Sequence, residues 1–220
     1  MTARARPAAE QTIEVVRATP ERWPDVVTVM GDTDRGCWCQ APRGLVGGGR
    51  NAPPGVRRAG LRSQLDDDPP PGMLAYIDGE VAGWCGFGVR SRLPRLARSK
   101  TIPTIDDRPV WSILCFKVRV GFRRRGVAAA LLAGVVEDAR RSGAPGVEAY
   151  PIDPEGARVD VGFGYVGVTT MFEKAGFRRV LETGARSDGR PRWLMRLDFD
   201  TAPERAATSG TDRGQPETTR

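Results

Sequence analysis

Residues 123–128, Arg123-Arg124-Arg125-Gly126-Val127-Ala128, constrain this chain more than any other stretch because of what lies on each side of them. Ahead of them, Val110-Trp111-Ser112-Ile113-Leu114-Cys115-Phe116-Lys117-Val118-Arg119-Val120 is rich in β-branched and aromatic residues and reads as a strand. Behind them, Leu131, Leu132, Val135, Val136 and Ala139 recur at i, i+1, i+4, i+5 and i+8, while Glu137, Asp138, Arg140 and Arg141 are polar, the pattern of an amphipathic helix. A strand that turns sharply into a helix leaves the first helical N–H groups without carbonyl partners, all pointing one way. Together with the positive end of the helix dipole they form a cradle for phosphate oxygens. Gly126 and Ala128 carry little or no side chain, so a pyrophosphate can approach the backbone, and Arg123, Arg124 and Arg125 add positive charge.

The rest of the chain divides around that turn. Residues 1–11 and 201–220 are polar and rich in Thr, Gly, Pro and Arg, and are expected to be disordered tails on a single domain spanning 12–200. Thr12-Ile13-Glu14-Val15-Val16-Arg17 alternates as a first strand, and Thr19-Pro20 opens a helix running to about residue 30, with Thr19 as N-cap and Pro20 at N1. A Gly-rich stretch from 31 to 55 holds Cys37-Trp38-Cys39 and Gly47-Gly48-Gly49, and a second short helix fits 56–65. Residues 73–77 and 81–89 read as a hairpin around Asp78-Gly79, and 90–109 as an irregular insertion. After the main helix come a strand at 147–152, a long loop, a short helix at 169–175 and strands at 177–183 and 191–199.

Two motifs in this frame resemble a known family. Arg-x-x-Gly-x-Ala after a strand is similar to the acyl-CoA-binding signature of the GCN5-related N-acetyltransferases (GNAT superfamily), with Val118 five residues before Arg123 where the family's fourth strand carries an apolar residue. Downstream, Met171-Phe172-Glu173-Lys174-Ala175-Gly176-Phe177 resembles the family's late helix-to-strand signature, and the spacing between the two motifs fits. The resemblance covers roughly the second half of the chain. It implies an α/β (α+β) fold: one GNAT-type domain with a mixed, mostly antiparallel sheet flanked by helices, in the order β-α-α-β-β-β-α-β-α-β-β. It also implies acetyl-CoA as cosubstrate and a primary amine of a small molecule or peptide as acceptor. The expected cofactor contacts are Phe116, Lys117 and Val118 on the strand, Arg123, Arg124, Arg125, Gly126, Val127, Ala128 and Ala129 at the turn, and Phe172 in the later motif.

Moving an acetyl group from a thioester to an amine needs a neutral amine, a polarised carbonyl and a thiolate that can leave. Many family members carry a Tyr general acid where this chain has Phe172, which has no proton to give. Tyr165, in Gly162-Phe163-Gly164-Tyr165, either substitutes as the acid or walls the substrate. The chain has no histidine, so a base is a carboxylate, water or a perturbed thiol. Glu148 is the candidate base, read against the alternative of a salt-bridged residue, with Asp153 and Asp160 ranked below it; a water-mediated route with no essential side chain is the other reading. Trp38 and Cys39 lie where the family walls its acceptor pocket, with ordinary packing as the alternative. Trp84 and Trp111 read as core, and the run Arg90, Arg92, Arg95, Arg98 and Lys100 as a solvated loop or a contact for the CoA 3′-phosphate or an anionic partner.

Composition sets the outer limits. At 220 residues the chain can bury about 70% of its unfolded surface as one domain. No segment approaches the ~18–20 apolar residues of a membrane span, and the N-terminus lacks the apolar core of a secretory signal, so a cytoplasmic protein is expected. The formal charge of +7 favours anionic ligands such as CoA. Four cysteines without histidine give no zinc set, and no metal is expected. Three classes of function remain: N-acetyl transfer to a small amine or peptide, acyl transfer to a protein or aminoacyl-tRNA amine, and a non-catalytic CoA-binding module. No RNA-binding motif or aromatic stacking series supports a nucleic-acid partner, and a homodimer would be in keeping with the family but leaves no mark in the sequence.

Overall fold

The computed structural model describes residues 12–33, 36–44, 53, 55–157, 159, 160, 162 and 164–199. The two expected tails and the Gly47-Gly48-Gly49 run lie outside them. In chain order the elements are β1 (Ile13–Arg17), a 3-10 turn (Pro20–Arg22), α1 (Trp23–Met30), α2 (Val56–Ser63), β2 (Gly72–Ile77) and β3 (Glu80–Val89). A 3-10 turn (Arg90–Arg92), α3 (Pro94–Ala97), β4 (Trp111–Val118), α4 (Val127–Arg141) and β5 (Gly146–Ala149) follow. A 3-10 turn (Gly164–Val166), α5 (Thr169–Lys174), β6 (Arg178–Ser187) and β7 (Arg190–Asp198) complete the chain. The strands form one seven-stranded sheet in the order β1-β2-β3-β4-β5-β7-β6, antiparallel except for β4 and β5, which run parallel. The expected order of elements is therefore found. The 90–109 segment differs, because Pro94 starts the four-residue α3 inside what reads as an irregular insertion.

Strand β2 shows why the sheet is a central layer. Met73, Ala75 and Ile77 belong to the cluster under α4, while Leu74 and Tyr76 belong to the cluster under α1 and α2. A strand covered on both faces reads as an unbroken apolar run rather than an alternating one, as Met73-Leu74-Ala75-Tyr76-Ile77 does. The β2–β3 hairpin turns at Asp78 and Gly79, with φ of 52° and 80°, the left-handed pair that a two-residue turn requires.

Helix α4 buries Val127, Leu131, Leu132, Val135 and Ala139, as its periodicity predicts. It also buries Asp138, which the pattern places on the polar side. The reason is Arg17 on β1, whose Nε reaches the two Asp138 carboxylate oxygens at 3.0 and 2.8 Å. Two glycines let the helix lie close to the sheet. A Cβ on Gly134 would come within 2.5 Å of Val15 Cγ1, and one on Gly83 of β3 within 2.8 Å of Val127 Cγ1. Gly83 therefore sits directly under the first residue of α4, so the position of the helix N-terminus depends on that missing side chain.

Candidate active site

The turn between β4 and α4 is shaped by positive φ angles at Gly121 (92°), Arg124 (61°) and Gly126 (80°). Phe122 is buried in the turn, with the guanidinium carbons of Arg119 and Arg125 at 5.2 and 5.4 Å from its ring centre. Gly126 is the N-cap of α4, and no side chain caps the helix. The first bond at this end runs from the Ala130 N–H to the Gly126 carbonyl at 3.0 Å. The N–H groups of Val127, Ala128 and Ala129 thus have no acceptor among the described residues. An uncapped first turn, next to a glycine held in the left-handed region, fits phosphate oxygens as the missing acceptors.

Strands β4 and β5 pair only through Trp111 with Val147 and Ser112 with Glu148. Beyond Ser112 they part, and among the described residues no strand pairs with residues 113–118 of β4 on that edge. Leu114 is an extra residue in β4, since Gly86 pairs with Cys115 but Phe87 with Ile113; such a bulge bends a strand and increases its twist. The open edge lies along a cavity of about 1090 Å³ that reaches from Arg123, Gly126 and Ala129 past Cys115–Val118 to Tyr150, Tyr165 and Arg192. Most of its far wall is apolar, including Leu96, Ile102, Leu114, Val159, Val166 and Val168.

A buried polar cluster fills the fork where β4 and β5 separate. Glu148 Oε1 accepts hydrogen bonds from Arg90 (2.7 Å), Ser112 (3.1 Å) and the Tyr150 hydroxyl, and its side chain is 2% exposed. Arg196 of β7 lies 3.9 Å from Glu148 Oε2 and 2.9 Å from Asp106. Arg196 Nε also lies 3.3 Å from Asp198, so the two guanidiniums here meet three carboxylates and each buried charge has an opposite one beside it, the condition under which charges are tolerated inside a fold. Burial and the neighbouring Glu148 charge hold the Tyr150 hydroxyl well above its usual range, so it stays protonated. Tyr150 lines the cavity and Glu148 stands behind it, outside the lining. Arg90, first of the basic run at 90–100, is part of this cluster rather than of a solvated loop.

The family model for the Acetyltransferase (GNAT) family matches residues 28–156, more than half of the chain. This chain belongs to the GNAT acetyltransferase family. Solved structures of the same fold include an N-acetyltransferase from Staphylococcus aureus Mu50, 14% identical over 85% of this chain and 98% of that one, with a TM-score of 0.51. A ribosomal-protein-alanine N-acetyltransferase from Brucella melitensis is 16% identical over 84% and 99% of the two chains, TM-score 0.52. YncA of Salmonella typhimurium, solved with its cofactor acetyl-CoA, is 15% identical over 89% and 98%, TM-score 0.53. No curated protein matches the sequence.

Within this GNAT domain the candidate residues fall into distinct places. Phe116, Lys117, Val118, Arg123, Arg124, Gly126, Val127, Ala128 and Ala129 line the cavity. Lys117 also donates its ammonium to the Met30 carbonyl, tying β4 to the end of α1. Phe172 is fully buried behind Phe116, their ring centres 6.1 Å apart, and packs on Phe177 at 5.2 Å. Tyr165 lines the cavity and is 47% exposed. Trp38 and Cys39 are both buried in one cluster, but only Cys39 lines the cavity. The Trp38 ring is buried against Trp23, 5.8 Å away, with its N–H on the Thr33 carbonyl, while Cys39 reaches the cavity beside Cys37. Trp84 and Trp111 are core residues, as their apolar neighbours predict.

Cys39 lies next to Cys115 over Gly86, where a Cβ would approach the two sulfurs to 2.7 and 3.2 Å. A hydrogen bond from the Cys115 thiol pulls the Cys39 thiol down against its burial, helped by the Trp84 indole N–H, Arg43 and Lys117. Cys115, the donor, is held well up. Two cavity residues have no signal in the sequence: Tyr150, which follows the short β5, and Arg192, one arginine among many. Only the return of β7 beside residues 150–152 brings them to the site.

Proposed function

We propose that this GNAT domain is an acetyl-CoA-dependent N-acetyltransferase that acts on the primary amine of a small molecule or peptide, in a ternary complex. The observation that carries this reading is the single cavity joining an uncapped, arginine-flanked helix N-terminus to an apolar end, along a β4 edge that lacks a partner strand. When bound, acetyl-CoA supplies the acetyl group as a thioester, a form activated toward amines. The amides of Val127, Ala128 and Ala129 hold its pyrophosphate, with Arg123 and Arg124 adding charge. The backbone of Phe116 and Val118 aligns the pantetheine arm and polarises the acyl carbonyl. Tyr165 is the proton donor to the departing sulfur; among the described residues it is the only hydroxyl on the cavity wall that is half exposed rather than tied into the fork. Glu148 holds the fork rather than taking a proton, so the ammonium proton leaves through water.

The test is thermal shift with acetyl-CoA, CoA and ATP, followed by mass detection of products across an amine panel. A ligand at 100 times its Kd adds about 2.7 kcal/mol, which raises Tm by roughly 5–11 °C for a domain of this size. Tyr165→Phe is expected to lower kcat by about a hundredfold with acetyl-CoA affinity unchanged. An unchanged rate removes Tyr165 from the chemistry, and a CoA response without product across the panel leaves a binding module.

A further inference from the structure

Several buried or half-buried arginines of this fold have their terminal nitrogens or Nε matched by carboxylates or by backbone carbonyls. Arg17 has Asp138, Arg90 has Glu148, and Arg196 has Asp106. Arg43 gives its guanidinium to the carbonyls of Pro71 and Phe87. Arg192 differs at its terminal nitrogens. Its Nε donates to the Tyr150 carbonyl at 2.8 Å, and among the described residues neither terminal nitrogen has a hydrogen-bond acceptor and no carboxylate lies within ion-pair distance. It stands in the cavity wall, where burial pushes its pKa down against the opposing influence of Tyr165 and Tyr150. Asp160 is the acidic residue of the same wall, and its Oδ1 is taken by the Gly162 N–H at 2.7 Å.

We propose that Arg192 receives a carboxylate of the acceptor, so that the acceptor is a small amine bearing a free carboxylate: an amino acid or a close analogue with an apolar side chain. This deepens the N-acetyltransferase reading and rests on it. With Nε fixed on the Tyr150 carbonyl, the two terminal nitrogens present the edge of the guanidinium that matches two carboxylate oxygens. A cation without a counter-ion in a partly dehydrated wall favours an anion there more strongly than in water. The surrounding Leu96, Ile102, Leu114, Val166 and Val168 suit an apolar side chain. Arg192 and the open β4 edge, where the acyl carbonyl is expected, line the same cavity, so an acceptor held there by its carboxylate keeps its amine inside that cavity. The phosphates of CoA have their own site at the start of α4.

The experiment compares apolar and aromatic L-amino acids with their amides and decarboxylated amines, for example L-phenylalanine, L-phenylalaninamide and phenethylamine, by product mass. The wild type is expected to prefer the free acids. Arg192→Gln is expected to lower kcat/KM for the acids roughly 10- to 150-fold, the range of a hydrogen bond to a charged group, with Arg192→Lys in between and acetyl-CoA affinity within twofold of wild type. Equal turnover of acids, amides and amines by the wild type overturns the proposal. A loss of acetyl-CoA affinity in Arg192→Gln also overturns it, by giving Arg192 to the cofactor. If acetyl-CoA binds but no amine is acetylated, the N-acetyltransferase reading fails separately. Calorimetry of the same panel on the CoA-bound protein then decides: binding of acids that Arg192→Gln abolishes upholds the carboxylate site, and no binding overturns it.

Discussion

Gly126→Asn and Gly126→Asp form an isosteric pair that isolates the charge at the proposed phosphate cradle. Gly126 has φ 80°, and a Cβ added there meets nothing closer than Ile13 Cδ1 at 3.6 Å, an ordinary contact. Both variants therefore fit sterically and share the same backbone strain, about 1–2 kcal/mol or less because Asn and Asp tolerate the left-handed region best after glycine. That predicts a similar fall in the ligand-free Tm for both, roughly 2–8 °C or less. The difference appears with ligand. A carboxylate about 5 Å from a phosphate charge is repelled by about 1–3 kcal/mol per charge between water-like and protein-surface dielectrics, or roughly 5- to 150-fold in Kd. Calorimetric titration of acetyl-CoA into the two variants at low salt reads this ratio. It should shrink at high salt, where the screening length falls from about 10 Å at 0.1 M to about 3 Å at 1 M. Equal affinities for the Asn and Asp variants at low salt would show that the pyrophosphate does not rest on the start of α4.

Two further substitutions probe how the fold supports the site. Glu148→Gln leaves Arg90 and Arg196 short of a buried counter-charge and should cost about 3–5 kcal/mol, a fall in Tm of roughly 6–20 °C by calorimetric scan; a stable variant with lost turnover and an altered pH profile would make Glu148 the base instead. Gly83→Ala puts a methyl 2.8 Å from Val127 Cγ1 and 3.0 Å from the Lys117 carbonyl. It should destabilise by about 1–3 kcal/mol and weaken acetyl-CoA binding several-fold by lifting the first turn of α4, so a lower Tm with unchanged affinity would uncouple the cradle from that contact.

The sequence carried what is local. The β4–α4 turn was legible because its chemistry lies in consecutive residues: a strand, a glycine that alone adopts φ 80° without penalty, and a helix with a clear apolar face. The hairpin at Asp78-Gly79 was legible for the same reason. The GNAT family and its mixed sheet followed from two such local motifs and are supported by the match over residues 28–156. What the sequence left open depends on partners far apart in the chain. Glu148 has the same identity whether it is a base or an ion-paired strut, and only the meeting of Arg90, Ser112 and Tyr150 around it separates the two. Trp38 and Cys39 are neighbours in sequence and both are buried in one cluster, yet with φ of 47° and 51° only Cys39 also reaches the cavity wall. Arg192 is chemically identical to the arginines that find carboxylates, and it differs in that no carboxylate among the described residues lies within ion-pair distance of it. Motifs are written in spacing along the chain, whereas the environment of a charge is set by long-range packing, which decides whether it is neutralised by the protein or left for a ligand.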